Sequence, residues 1–380
     1  MRLLHAIPRL DPALGGTVEA VRRLGLALQE LGVEQVVATV DDPQADYLPA
    51  FPLPVQALGP ATNFYGHSRA FQPWLAAHAA EFDAVMVHGL WQYPSLIAWQ
   101  VCGKEVPYYV FPHGMLDPWF NRRYPLKYLK KLPYWTLIER AVLNQAKGVL
   151  YTAEAERELA RRSFPRYRPR ELVCGLGTAT PTGDPKAEQA AFLERFPQLA
   201  GRPFLLFLGR LCAKKGVDLL AEAHAERADW PFDLVLAGPG EDEPFAADIR
   251  QRFPAERIHW IGPIAGDAKW GALRQAEALI LPSHQENFGL VVAEALAVST
   301  PVLLTRQVNI WREVVDAGAG LAEADTLEGT RRLLTHWRDL LEAERARWGE
   351  NALACFTEHF RMEATAQRLL SILQHDLSAT

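Results

Sequence analysis

The chain has 380 residues, of which 49% are hydrophobic and 22% charged, with a formal net charge of −5. Such a length accommodates two domains with a core each, and such a composition excludes a disordered or collagen-like chain. A pI of about 6.1, with no recognised nucleic-acid-binding module, argues against a nucleic-acid partner.

In chain order, Arg2–Ala6 reads as a strand cut short by Pro8, too brief for a signal peptide. A Gly15-Gly16 turn follows. A helix then runs from about Thr17 to Leu31, with Val21, Leu24, Leu28 and Leu31 at helical spacing. Strands are expected at Gln35–Val40, Ala84–Val87, Tyr108–Phe111 and Gly148–Tyr151. Strands alternating with helices imply a parallel sheet covered on both faces. The polar, breaker-rich run Pro181–Pro185 reads as a linker. Beyond it the pattern restarts, with strands at Phe204–Leu208, Leu234–Ala237, Ile258–Ile261 and Ala278–Leu281, and helices at Gly216–Ala225 and from Gly289. The expected fold is α/β, two doubly wound domains that leave a cleft between their strand tips, where ligands of such sheets bind.

The four cysteines, Cys102, Cys174, Cys212 and Cys355, are far apart and form no C-x-x-C pair. That fits a reducing compartment and argues against a zinc site. No apolar run approaches a membrane span, so a cytoplasmic location is expected. The charge is uneven: residues 120–170 hold 13 basic and 4 acidic side chains. Arg122, Arg123, Lys127, Lys130 and Lys131 are interleaved with Tyr124, Leu126, Tyr128, Leu129 and Leu132. Such a stretch suits an anionic membrane surface or a solvated helical face.

Four blocks carry candidate chemistry. Gly15-Gly16, between the first strand and helix, permits close approach of backbone to a phosphate. Val87-His88-Gly89-Leu90-Trp91 and Pro112-His113-Gly114-Met115-Leu116 each follow a strand and place a histidine at its tip. Gly209-Arg210-Leu211-Cys212-Ala213-Lys214-Lys215-Gly216 follows an apolar strand. Cations at a helix start oppose its dipole, a conflict that a diphosphate would resolve. Lys214 is expected to be solvated. In Pro282-Ser283-His284-Gln285-Glu286-Asn287-Phe288-Gly289-Leu290, continuing to Glu294, one carboxylate lies in a strand-to-helix loop and the other nearly two turns into the helix. A carboxylate there can accept two hydrogen bonds from a ribose diol. Gly238–Glu243 places three acids together, but reads as a turn with acids favouring the next helix, and no metal is required.

These blocks, in this order, resemble the retaining GT4 glycosyltransferases, which have two facing Rossmann-like domains (the GT-B fold). Pro112–Leu116 resembles a subgroup that assembles exported polysaccharides on lipid-linked intermediates. One departure is Ser299-Thr300, where the family usually has a glycine before the Pro301–Leu304 strand, so a differently shaped turn is expected. The resemblance implies an acceptor-side domain over residues 1–180, a nucleotide-sugar domain over 181–359, and a last helix (360–380) that packs back on the first domain. It implies transfer of a sugar from a UDP- or GDP-type nucleotide sugar to a hydroxyl of a glycan or lipid-linked saccharide. No cofactor or metal is implied, and the enzyme would be cytoplasmic or peripheral at the inner membrane face.

By the same resemblance, Gly16, Arg210 and Lys215 would bind the donor diphosphate. Glu286, with the amides of Asn287, Phe288 and Gly289 and with Leu290, would bind the sugar, and Glu294 the ribose. His113 would touch the transferred sugar, and His88 and Trp91 would line the acceptor pocket. Retention is implied without a choice between front-face attack and a short-lived ion pair. Two rival readings are a non-hydrolysing nucleotide-sugar epimerase and a catalytically silent binding protein on the same fold.

Overall fold

The computed structural model describes all residues except 104–105, 241–242, 255 and 379–380. It divides into two compact units, Met1–Leu176 with Met362–Thr380, and Gly177–Arg361.

The first unit is built on seven strands: β1 (Arg2–Ile7), β2 (Glu34–Thr39), β3 (Val55–Ala57), β4 (Ala84–His88), β5 (Tyr108–Phe111), β6 (Gly148–Tyr151) and β7 (Glu171–Val173). Their order is β3-β2-β1-β4-β5-β6-β7, and every pairing is parallel. Helices cover both faces, so β4, β5 and β6 are buried along their whole length. That is why they read as unbroken apolar runs rather than alternating ones. β3 and β7 were not expected from the sequence; each is a half-buried edge strand of three residues, too short to carry a pattern.

The last helix, Met362–Ser378, belongs to this unit. Asp376 near its end accepts from Tyr109 Oη at 2.9 Å and from Arg170 Nη2 at 2.9 Å. Arg368 donates to the Cys174 carbonyl at 3.1 Å.

The second unit carries β8 (Phe204–Leu208), β9 (Asp233–Ala237), β10 (Ile258–Gly262), β11 (Ala278–Leu281), β12 (Val302–Thr305) and β13 (Gly320–Glu323). The order is β10-β9-β8-β11-β12-β13, again parallel throughout. Pro181–Pro185 lies inside this unit, where Asp184 caps the helix Pro185–Arg195. The division between units falls earlier, at Leu176/Gly177. There the Thr178 amide donates to the Phe360 carbonyl at 2.9 Å, tying the two crossing segments together.

In each sheet the chain order reverses once, between β1 and β4 and between β8 and β11. Open parallel sheets bind ligands beyond the strand ends at such reversals. The Arg210–Lys215 block leaves the end of β8 and the Glu286 block the end of β11, so both lie at the second unit's reversal.

Candidate functional site

The two blocks of the second unit pack directly on each other. Gly216 has a φ of 66°, and a Cβ there would sit 2.1 Å from the Pro282 carbonyl oxygen. Only glycine allows that approach. The Lys214 carbonyl accepts from the His284 amide at 2.9 Å. The Lys215 ammonium forms an ion pair with the Glu286 carboxylate. Burial pushes the Glu286 carboxyl up, but the charge and hydrogen bond of Lys215, with Lys214 adding, outweigh it and hold the group below the usual range. Glu286 is therefore an anion at neutral pH.

Lys214, expected to be solvated, is instead half-buried and donates to Gln285 Oε1 at 3.1 Å. Burial, and next the charge of Lys215, lower its pKa. Arg210 is exposed and pairs with no carboxylate among the described residues. A cavity of about 490 Å³ lies beside it, lined also by Leu211, Cys212, Pro239, Gly240 and Phe245.

The Glu286 loop is held by backbone bonds to the segment after β12. Its amide donates to the Gln307 carbonyl at 3.0 Å, and its carbonyl accepts from the Asn309 amide at 3.1 Å. Asn287 meets the Asn309 side chain at 3.4 Å. The Phe288 ring is buried and packs edge-on against Phe360, so its side chain is not available to a ligand. Gly289, with φ 77°, caps the helix Leu290–Ala297. Glu294 on that helix is 5% exposed and bonds Lys269 at 2.8 Å. Lys269 carries no signal in the sequence, because it approaches Glu294 from a separate helix, Gly266–Gln275. At Ser299 the chain takes a left-handed φ of 63°, the conformation that glycine adopts without strain. The turn thus keeps a glycine-type backbone despite the serine.

Among the described residues no group of three or more His, Cys, Asp or Glu side chains is placed to hold a metal ion. Of the three acids in the Gly238–Glu243 turn, Glu241 and Asp242 lie outside the described residues. A larger cavity of about 690 Å³, at Arg274 and Arg345, touches neither motif.

In the first unit Gly15 has φ 77° and Gly16 opens the helix Gly16–Glu30. Both face open space. His113 also takes a left-handed φ, 48°, and is joined to two further histidines. His113 Nε2 lies 3.1 Å from His88 Nδ1, and His88 Nε2 lies 2.9 Å from His5 Nδ1. His5 on β1 was not singled out from the sequence, where one histidine inside an apolar strand reads as a core residue. Burial pushes His5 down to about 4, against the hydrogen bond of Gln35, and pushes His113 down to about 4. His88 is lowered well below the ordinary value by burial and then by the charges of its two neighbours.

His88 lines a cavity of about 320 Å³ with Val18, Phe64, Gln92 and Met115. Trp91 does not; its ring packs among Tyr134, Trp135 and Phe164, with Lys131 Nζ 4.3 Å above it.

A pH dependence follows. His5, His113 and, in the second unit, His224 ionise near 4 when folded and near 6.5 when unfolded. Between those values the unfolded chain binds protons that the folded chain does not, so stability falls as pH is lowered from 6.5 towards 4. Each group removes up to about 3 kcal/mol. Urea unfolding at pH 7 and pH 5 should therefore give a clearly lower midpoint at pH 5; equal midpoints would refute the neutral, buried state of these rings.

Two family profiles match consecutive parts of the chain. Residues 15–177 match "Glycosyl transferase 4-like domain" and residues 191–354 match "Glycosyl transferases group 1". A D-inositol 3-phosphate glycosyltransferase of Kineococcus radiotolerans is 31% identical over 208 residues, 52% of this chain and 47% of that protein. The alpha-D-kanosaminyltransferase of Streptomyces kanamyceticus is 29% identical over 185 residues, 47% of each chain. The chain thus spans about half the length of the curated relatives it matches.

Among solved structures, sucrose-phosphate synthase of Thermosynechococcus elongatus superposes with a TM-score of 0.79 at 20% identity, covering 100% of both chains. Anabaena HepE, solved with UDP and glucose, superposes with a TM-score of 0.77 at 17% identity, covering 99% of this chain and 100% of that one. At these identities the likeness concerns the fold.

Proposed function

From the premise that this chain belongs to the GT-B glycosyltransferases of the GT4-like kind, we propose that it moves a sugar from a nucleoside-diphosphate sugar to an acceptor hydroxyl, with retention at the anomeric carbon. The observation that carries this reading is the Lys215–Glu286 ion pair. It joins the two sequence blocks where a parallel sheet binds ligands, and leaves Arg210 exposed beside a cavity.

In this reading Arg210 and Lys215 stabilise charge on the leaving diphosphate, the main electrostatic task of such a transfer. The Gly16 amide adds to that stabilisation. Glu294, oriented by Lys269, accepts from the ribose hydroxyls. Glu286 and the amides of Asn287, Phe288, Gly289 and Leu290 hold the sugar. The cavity beside Arg210 receives the base. His113 touches the transferred sugar, and His88 lines the acceptor pocket.

A UDP-type donor is favoured because HepE, of the same fold, was solved with UDP-glucose. The acceptor is a glycan or lipid-linked saccharide. In this reading Arg210 and Lys215 supply the positive charge that a divalent cation would otherwise bring, so transfer needs no added metal.

A thermal-shift screen of UDP-, GDP-, ADP- and TDP-sugars tests the donor. One of them should raise the melting temperature by several degrees, since a ligand at 100 times its Kd adds about 2.7 kcal/mol. Turnover of that donor should survive EDTA. No shift with any donor would sink the reading, and activity restored only by magnesium or manganese would overturn the metal-free part.

The basic stretch supports a peripheral membrane contact. Helices Pro118–Arg123 and Pro125–Tyr134 expose Arg122, Arg123, Lys127 and Lys130 beside the outward Leu126 and Leu129. Tyr128 and Leu132 turn to the core. Lys131, expected on the charged face, is half-buried against Trp91 and leaves that face with four cations. Among the described residues no helix is long and apolar enough to cross a membrane. Each exposed cation adds on the order of 1 kcal/mol on an anionic bilayer, and salt screens it. Replacing all four by glutamine should abolish sedimentation with phosphatidylglycerol-rich vesicles at low salt; unchanged pelleting would refute the contact.

A further inference from the structure

The three histidines of the first unit end on Gln35, and that end has a defined polarity. Gln35 Nε2 donates to the Gly25 carbonyl at 2.8 Å and approaches the Val33 carbonyl at 3.5 Å. Two carbonyls can be met only by the amide nitrogen, so Gln35 Oε1 faces His5 Nε2, at 3.0 Å. Gly25 makes room for this arrangement, since a Cβ there would lie 3.3 Å from Gln35 Oε1 and 2.3 Å from Leu53.

An oxygen acceptor requires the proton of His5 on Nε2. A neutral imidazole has one donor and one acceptor, so His5 Nδ1 then accepts from His88 Nε2–H, and His88 Nδ1 accepts from His113 Nε2–H. The reversed chain would set the His5 Nε2 lone pair against the Gln35 oxygen. Burial keeps all three rings neutral, and His5 and His88 are 0% and 2% exposed. His113 is half-buried, and its Nδ1 is neither bonded to any described residue nor sealed from solvent.

We propose that Gln35 is a positioning residue that acts through His5 and His88 to keep the His113 proton on Nε2, leaving Nδ1 as a fixed hydrogen-bond acceptor for a ligand hydroxyl. The use of that acceptor rests on the reading of His113 as a sugar contact; the proton arrangement does not. No charge moves in the resting chain. A hydroxyl group donating to His113 Nδ1 would find the ring already in the accepting tautomer, with no proton to shift first.

The test is long-range ¹H–¹⁵N correlation of the full-length protein labelled at histidine, at pH 7, which distinguishes the two tautomers of each ring. The expected result is that His5, His88 and His113 all carry the proton on Nε2. A proton on Nδ1 of His113 in the wild-type protein would overturn the proposal without any variant being made. Gln35→Met removes the acceptor and should turn the single His113 form into a mixture. His88→Phe breaks the chain in the middle and should do the same with Gln35 intact. An unchanged His113 spectrum in either folded variant would refute the relay. In Gln35→Met, kcat for transfer should fall about tenfold, the worth of one hydrogen bond, with donor-induced thermal shift unchanged. A mixed tautomer with undiminished kcat would support the relay and remove the sugar-contact role of His113.

Discussion

Replacing Lys215 or Arg210 by alanine should each lower transfer by two to three orders of magnitude, roughly the loss seen when one transition-state charge partner is removed. The two variants should differ in every other respect. Arg210 is exposed and has no carboxylate partner among the described residues, so Arg210→Ala should melt at the wild-type temperature. Lys215 is paired with Glu286, and the two side chains are only 14% and 17% exposed. Lys215→Ala leaves that carboxylate half-buried without its main partner, which should destabilise the second unit by about 1–3 kcal/mol. Adding Glu286→Ala should restore much of that stability while leaving transfer lost. Steady-state kinetics with calorimetric melting separates these outcomes. Near-wild-type kinetics in both single variants would end the phosphate assignment.

Glu294→Gln should weaken both the donor and the free nucleoside diphosphate by ten- to a hundredfold, about what removing a charged hydrogen-bond partner removes in binding. Glu286→Gln should leave the free diphosphate bound and lower transfer instead. The division follows from position. Glu294 is fixed on a helix and oriented by Lys269 at 2.8 Å, whereas Glu286 sits in the loop before that helix and is held by Lys215. Titration calorimetry with the nucleoside diphosphate alone reads the first effect without any turnover. Equal losses of affinity in the two variants would remove the division of roles. Lys269→Met should share the Glu294 phenotype in weaker form, because it frees the carboxylate without deleting it.

The local pattern of the chain determined much of this protein. Apolar runs bounded by Pro or Gly marked β1, β5, β6, β8 and β11 within a residue of where they stand, since buried parallel strands need no partner to be recognised by composition. The Gly-Arg…Lys-Gly and Glu286–Glu294 blocks were legible for a related reason. Each is contiguous and sits at a strand-to-helix turn, and in the first of them the cations oppose the dipole of the helix that follows.

What remained hidden lies between segments far apart in sequence. Lys214 bonding Gln285, Lys269 meeting Glu294, and His5 linked to His88 and Gln35 all join different strands and helices. Each pair is brought together by the parallel sheets or by the helices packed on them, which place residues tens of positions apart side by side. Trp91 and Lys131 show the converse, since both have types suited to a binding surface but turn inward onto each other and nearby aromatic rings. Residue type and spacing thus determined which chemistry the chain carries. Only the tertiary structure decided which charges are paired, which rings are neutral and which atom of His113 is left to accept, because burial and partners set those states and neither exists in the extended chain.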